Sequence, residues 1–148
     1  MSTVETTIDI VAPPDKVWDV LMDAGRLGEW VSIHRRLHGR PDKPLREGSE
    51  IVQTLHLRGV NFKVRWTVEE LKPPSFAIWE GRGPARSKAV TRYELTENGE
   101  GGTRFHYVNE FHPPLGLLGN AASRALVGGV SQREAQSSLQ RLKALVEK

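Results

Sequence analysis

Residues 8–21 read IDIVAPPDKVWDVL, and the change of period inside this stretch decides the fold. Up to Ile10 the chain alternates: Val4, Thr6, Ile8 and Ile10 face one way, and Glu5, Thr7 and Asp9 the other. That is the period of a strand with one wet face. Ala12-Pro13-Pro14-Asp15 stops it. Proline suits the first turn of a helix, and an aspartate there suits the positive end of the dipole. Val17, Trp18, Val20 and Leu21 then mark a short amphipathic helix, ended by Asp23-Ala24-Gly25. Leu27, Trp30 and Val31 mark a second.

From about residue 32 to 111 the texture is strand. Ile51, Leu55 and Leu57 alternate with Val52, Thr54 and His56, and Gly59-Val60-Asn61 reads as a turn. Phe62, Val64, Trp66 and Val68 alternate with Lys63, Arg65, Thr67 and Glu69. Pro73-Pro74 turns the chain again, and the stretch from Phe76 to Trp79 is apolar on both faces and has no readable orientation. Ala89, Thr91, Tyr93 and Leu95 share a face, as do Phe105, Tyr107, Asn109 and Phe111, with a glycine-rich turn between the two runs. Close spacing and this turn chemistry predict an antiparallel meander. After His112-Pro113-Pro114, residues 115 to about 147 read as one long helix. Its stripe runs Ala121, Ala125, Gly128, Gln132, Ala135, Leu139, Leu142, Val146 toward the sheet, and the Gly128-Gly129 pair is a candidate kink.

The chain has 148 residues, the size of one domain, with 38% hydrophobic and 26% charged residues. It has no cysteine, which excludes a disulfide framework, thiolate metal sites, a cysteine nucleophile and iron–sulfur centres. No run of ~18 apolar residues predicts a membrane span, and the polar Met1-Ser2-Thr3-Val4-Glu5 start does not resemble a signal peptide. A cytoplasmic monomer or homodimer is expected. The net charge of +3 is spread thinly, and only Arg82, Arg86, Lys88 and Arg92 approach a basic stripe, so nucleic acid is not an expected partner. Gly81-Arg82-Gly83-Pro84 lacks the rest of a dinucleotide fingerprint, and no serine sits in a GxSxG elbow.

The order is strand, two short helices, about six antiparallel strands and a long C-terminal helix. With Ile10-Val11-Ala12-Pro13-Pro14-Asp15-Lys16-Val17-Trp18, Gly28-Glu29-Trp30, Glu69-Glu70-Leu71-Lys72-Pro73-Pro74 and Gly102-Thr103-Arg104-Phe105, it resembles the START-like, or SRPBCC, superfamily, which includes polyketide cyclase/dehydrase-like proteins. The resemblance spans the whole chain. It implies an α+β helix-grip fold: a curved antiparallel sheet of about seven strands wrapped around the C-terminal helix, with residues 1–148 forming a single ligand-binding domain. It also implies a cavity between sheet and helix that takes an apolar ligand.

The residues bear on that cavity independently. Leu139, Leu142 and Val146 fill space against a sheet, whereas Ala121, Ala125 and Gly128 either admit close packing or leave a void. The opposing Trp66, Tyr93, Phe105 and Tyr107 are large and resist close approach, which favours the void. Leu55 shares their inward face. Asn109, Gln132 and Gln53 are amides on faces read as inward, and each needs a partner, in the protein or on a ligand. The histidines are His34, His38, His56, His106 and His112, with no metal-ligand spacing among them. Neither metal nor cofactor is expected. His34 follows Trp30 where related folds open into the pocket, making it the candidate for acid/base work. Glu80 and Glu110 are alternative carboxylate bases, but Glu110 alternates away from the inward face.

The candidate ligand-binding set is therefore Trp30, His34, Gln53, Leu55, Trp66, Tyr93, Phe105, Tyr107, Asn109, Ala125, Gly128 and Gln132. The leading expectation is binding of a small hydrophobic molecule: a lipid, an isoprenoid or an aromatic polyketide-like compound. A polyketide cyclase or dehydratase using His34 with Asn109 or Tyr107 is the alternative. A protein-interaction module is a third, disfavoured by the polar outward positions Lys63, Arg65, Thr67, Arg92 and Glu94.

Overall fold

The computed structural model describes residues 2–113 and 129–148. Strand β1 (Ser2–Ile10) is followed by α1 (Pro14–Leu21), a 3-10 turn (Ala24–Arg26) and the single-turn α2 (Leu27–Trp30). Then come β2 (His34–His38), β3 (Glu50–Leu57), β4 (Val60–Lys72), β5 (Phe76–Arg82), β6 (Lys88–Glu97), β7 (Thr103–His112) and α3 (Gln132–Val146). The strands form one antiparallel sheet in the order β1-β7-β6-β5-β4-β3-β2. This is the expected helix-grip architecture, and the alternations described above face inward as read.

The register settles what periodicity leaves open. In β5 the buried positions are Ala77, Trp79 and Gly81, with Trp79 opposite Val68 and Thr91. The β3–β4 turn differs from its reading: it is the two-residue Arg58-Gly59 corner, and Val60 already belongs to β4. Both corner residues have positive φ, 50° and 80°, the geometry that matches a two-residue hairpin to strand twist.

The C-terminal helix also differs. The expected helix over 115–128, with Ala121, Ala125 and Gly128, lies outside the described residues. Beyond it, Gly129, Val130 and Ser131 are not helical. Gly129 has φ +62°, and a Cβ there would lie 2.9 Å from Phe111, so only glycine fits. Ser131 is extended and its Oγ accepts from the Glu134 N–H at 3.1 Å, an N-cap that starts α3 afresh. The inward stripe of α3 is Ala135, Ser138, Leu139, Leu142 and Val146. Each of its buried Leu and Val side chains contributes about 1.5–3 kcal/mol.

Helix α3 packs on β1, α2 and α1. It also grips the outer edge of β1 through polar side chains. Gln132 donates to the Glu5 carbonyl at 3.1 Å, Lys143 donates to the Asp9 carbonyl at 3.0 Å, and Glu147 accepts from the Val11 N–H at 2.7 Å. Lys143 and Glu147 also pair with each other. Among the described residues no helix is long and apolar enough to cross a membrane.

Candidate functional site

A cavity of about 100 Å³ lies between the inner face of the sheet and α2. Its sheet wall takes Gln53, Leu55, Val64 and Trp66 from β3 and β4, then Trp79 and Gly81 from β5. Thr91 and Tyr93 on β6, and Tyr107, Asn109 and Phe111 on β7, complete that wall. The opposite side is Leu27, Trp30, Val31 and Ile33, together with Gly129, Val130 and a single α3 residue, Ser138. Among the described residues, the second helix and the chain after it supply more of this side than α3 does.

Of the expected residues, Trp30, Gln53, Leu55, Trp66, Tyr93, Tyr107 and Asn109 meet around this cavity. Three do not behave as read. Phe105 is fully buried behind Tyr93, with ring centroids 5.5 Å apart, and belongs to the core. Gln132 is exposed, because at the first turn of α3 it overhangs the sheet and bonds to β1. His34 is off the cavity wall and borders a separate polar depression with Ser32, Arg35, His56, Arg58 and Glu134. Ala125 and Gly128 lie outside the described residues. Trp79, Thr91, Val64, Gly81 and Phe111 are among the lining residues that the candidate set lacks. Trp79 was hidden by the two-faced apolar run, whereas the inward row of β6 had already placed Thr91.

The wall is an aromatic cluster centred on Tyr93. Trp30 and Trp79 meet its ring edge-on at 6.2 and 5.3 Å, and Tyr107 stacks on it at 6.1 Å. Trp66 meets Trp79 edge-on at 6.2 Å. Such pairs fix ring orientation as well as burying area. The indole N–H groups of Trp30 and Trp79 are buried, and among the described residues neither has a hydrogen-bond partner. An unpaired buried donor costs about 1–3 kcal/mol.

The polar groups of the wall are neutral. Asn109 and Thr91 are direct cross-strand partners, and the Asn109 Nδ2 donates to Thr91 Oγ1 at 2.9 Å. Burial pushes the Tyr107 hydroxyl up to about 12, against the opposing pull of its hydrogen bonds with Asn109 and Thr91. Burial raises Tyr93 well above the ordinary phenol range, helped by Tyr107. Both phenols therefore stay protonated near neutrality. The charged residue bordering the cavity, Lys88, is 3.8 Å from Glu80. This arrangement can bury an apolar body and hydrogen-bond an oxygen on it. Among the described residues, no histidine or carboxylate lines the cavity.

Behind the wall runs a directed hydrogen-bond chain. The Trp66 indole, which can only donate, gives its proton to Gln53 Oε1 at 2.9 Å. That fixes the amide, so Gln53 Nε2 donates to His34 Nδ1 at 2.8 Å. The His34 proton therefore resides on Nε2. Burial lowers the His34 pKa below the usual imidazole value. The ring also rests against Gly28, where a Cβ would come within 3.1 Å of His34 Cδ2. Among the described residues no three His, Asp or Glu side chains are grouped to hold a metal ion.

Residues 1–147 match the family model described as polyketide cyclase / dehydrase and lipid transport. The uncharacterized protein Rv1546 of Mycobacterium tuberculosis is 31% identical over 137 residues, covering 89% of this chain and 93% of that one. Toxin Rv0910 of the same organism is 25% identical over 129 residues, covering 84% and 90%. Among solved structures, the Zhui aromatase/cyclase from Streptomyces superposes with a TM-score of 0.78 at 16% identity, covering 99% of this chain and 93% of that one. At that identity the likeness is one of fold.

Proposed function

This chain belongs to the polyketide cyclase / dehydrase and lipid transport family, and from that premise we propose that it binds a small hydrophobic ligand in the cavity between the sheet and its helices. The reading covers residues 1–148 as one ligand-binding domain, acting in the cytoplasm as a monomer or homodimer. The observation that carries it is the cavity lining: Trp30, Trp66, Trp79 and Tyr93 around it, with Thr91, Asn109 and Tyr107 offering hydrogen bonds at one place. The volume limits the ligand. A cavity of ~150 Å³ takes benzene, so about 100 Å³ suits a ring-sized group, and a larger ligand must extend beyond the cavity or widen it. A compact aromatic ring bearing an oxygen, as in polyketide-like compounds, fits this better than a long lipid chain. The two unpartnered indole donors add to the preference for a ligand with an acceptor.

Binding is favoured over cyclase chemistry by the protonation states. General acid–base catalysis works best with a group whose pKa lies near the working pH. The phenols on the wall titrate far above it, and His34 is off the wall with its Nδ1 lone pair engaged. Native mass spectrometry of the purified protein, with and without 2-naphthol, tests the reading. A 1:1 complex with a matching change in tryptophan emission is expected. Absence of any complex across a panel of one- and two-ring phenols, ketones and short lipids, with unchanged emission, refutes it.

A further inference from the structure

The Trp66–Gln53–His34 chain leads from the cavity wall to the separate depression that His34 borders. Only its first two members touch the cavity. The donors and acceptors along it allow one arrangement. An indole cannot accept, so Gln53 must turn its oxygen to Trp66 and its nitrogen to His34. His34 must then present a bare Nδ1. We propose that His34 is a positioning residue for the ligand cavity: through Gln53 it holds the Trp66 indole in place, and ligand affinity depends on its Nδ1 remaining unprotonated. This rests on the cavity-binding reading above.

Protonation makes the conflict explicit. A proton on Nδ1 sets N–H against the Gln53 NH2. Rotating the amide by half a turn satisfies the imidazolium but sets NH2 against the Trp66 N–H. One of the two hydrogen bonds is lost in either case. Trp66 cannot simply move aside, because its ring lies across Gly81, where even a Cβ would come within 2.7 Å, and its other side meets Trp79. Among the described residues, the charged and titratable groups that share the depression with His34 are Arg35 on β2, His56 on β3, Arg58 at the β3–β4 corner and Glu134 on α3. Beside α2 lies the exposed Arg26–Glu29 pair. Glu134 accepts from Ser32 Oγ at 2.6 Å, and His56 Nδ1 pairs with Asn61. His34 bonds to none of these groups; its ring is held by Gln53 and Gly28. By reciprocity, ligand bound against Trp66 and Gln53 lowers the His34 pKa further.

The test is a titration of the whole protein with 2-naphthol, uncharged throughout, at pH 7.5 and pH 5.0, with imidazole signals of His34 followed by NMR. Wild type should bind roughly tenfold more weakly at pH 5.0, the scale of one lost buried hydrogen bond. His34→Asn, whose Oδ1 supplies an acceptor near the Nδ1 position, should bind as wild type at pH 7.5 and keep that affinity at pH 5.0. In Trp66→Phe, Gln53 is free to rotate, so the His34 pKa should rise toward the ordinary value even with no ligand present. A wild-type affinity that is flat with pH, or an identical decline in His34→Asn, overturns the proposal. So does an unchanged His34 pKa in Trp66→Phe. Failure of 2-naphthol and of the whole panel above to bind at pH 7.5 instead strikes the cavity reading, and the ligand-free His34 titration then still decides whether the chain couples the two residues.

Discussion

Gly81→Ala should be destabilising, although a glycine-to-alanine change within a strand ordinarily stabilises. Gly81 is buried on β5, directly opposite Trp66 on β4. Its φ is not in the left-handed region, so alanine meets no backbone strain, and propensity alone favours it by roughly 0.5–1 kcal/mol. The added methyl, however, would lie 2.7 Å from Trp66 Cε3, 2.8 Å from Cζ3 and 3.0 Å from Val64 Cγ1. The indole is the rigid body of a side chain and is tied at its far end to Gln53. Overpacking of this kind costs about 1–3 kcal/mol, and displacing the ring forfeits the Gln53 hydrogen bond, worth about 1 kcal/mol more. The net loss is about 1–3 kcal/mol, or roughly 3–10 °C in Tm for a chain of this size. Thermal melts by circular dichroism measure it, and tryptophan emission reports the indole's environment. An unchanged or raised Tm would show that the ring yields freely, and the argument that Trp66 is fixed would fall with it.

Asn109→Leu leaves Thr91 Oγ1 without its donor and should cost about 1–2 kcal/mol in a denaturant melt, while weakening oxygenated ligands more than hydrocarbons of the same shape; equal losses for both would remove Asn109 from ligand recognition. Ser131→Ala deletes the N-cap of α3 and should cost about 1 kcal/mol with 2-naphthol affinity unchanged, so a lost affinity would contradict the separation of cap and cavity. His106 lies between Glu94 and Glu5, its two ring nitrogens 3.2 and 2.8 Å from their carboxylates. Burial pulls its pKa down, but the hydrogen bonds to the two glutamates outweigh that and raise it. A raised folded-state pKa gives stability that is complete below the unfolded value near 6.5 and disappears as pH climbs through the folded one. Wild type should therefore exceed His106→Gln in Tm more at pH 5.5 than at pH 8.5, by less than about 1 kcal/mol for so exposed a cluster; a larger difference at pH 8.5 would reverse the assignment.

The inward faces of β1, β3, β4, β6 and β7 were legible because each alternates apolar with polar residues, and the aromatic wall followed from stacking those faces. The Phe76–Trp79 run was not legible, since side-chain period says nothing when both faces are apolar; only the register against β4 and β6 turns Trp79 inward. The start of α3 was written in Ser131-Gln132-Arg133-Glu134, a serine with a glutamate three residues on, but the small-residue stripe before it invited an unbroken helix. Gln132 fits that stripe by spacing and misses the cavity because the first turn of the helix lies over the sheet edge. Trp66 and Gln53 were both singled out, yet their hydrogen bond needs the diagonal placement that follows from Ile51 opposite Trp66 and Gln53 opposite Val64. Local sequence holds no trace of that placement. His34 looked catalytic for the same reason: nearness to Trp30 in the chain does not tell that Gln53 will stand between its ring and the cavity.

The hold of α3 on β1 makes the two edges of the sheet unequal as places for another chain to join. An open sheet presents two rows of unpaired backbone groups, and each is a template for another chain. Here the outer row of β1 already spends the Glu5 and Asp9 carbonyls and the Val11 N–H on Gln132, Lys143 and Glu147. An arriving strand would have to strip these contacts from a helix anchored in the core. The other row, on the five-residue β2, is interrupted by a bulge at Arg35 and carries exposed Arg35 and Arg36. Among the described residues, β2 is therefore the more open of the two edges. A contact confined to the β2 edge would pair two copies and stop there, whereas one that needs the β1 edge must first displace α3.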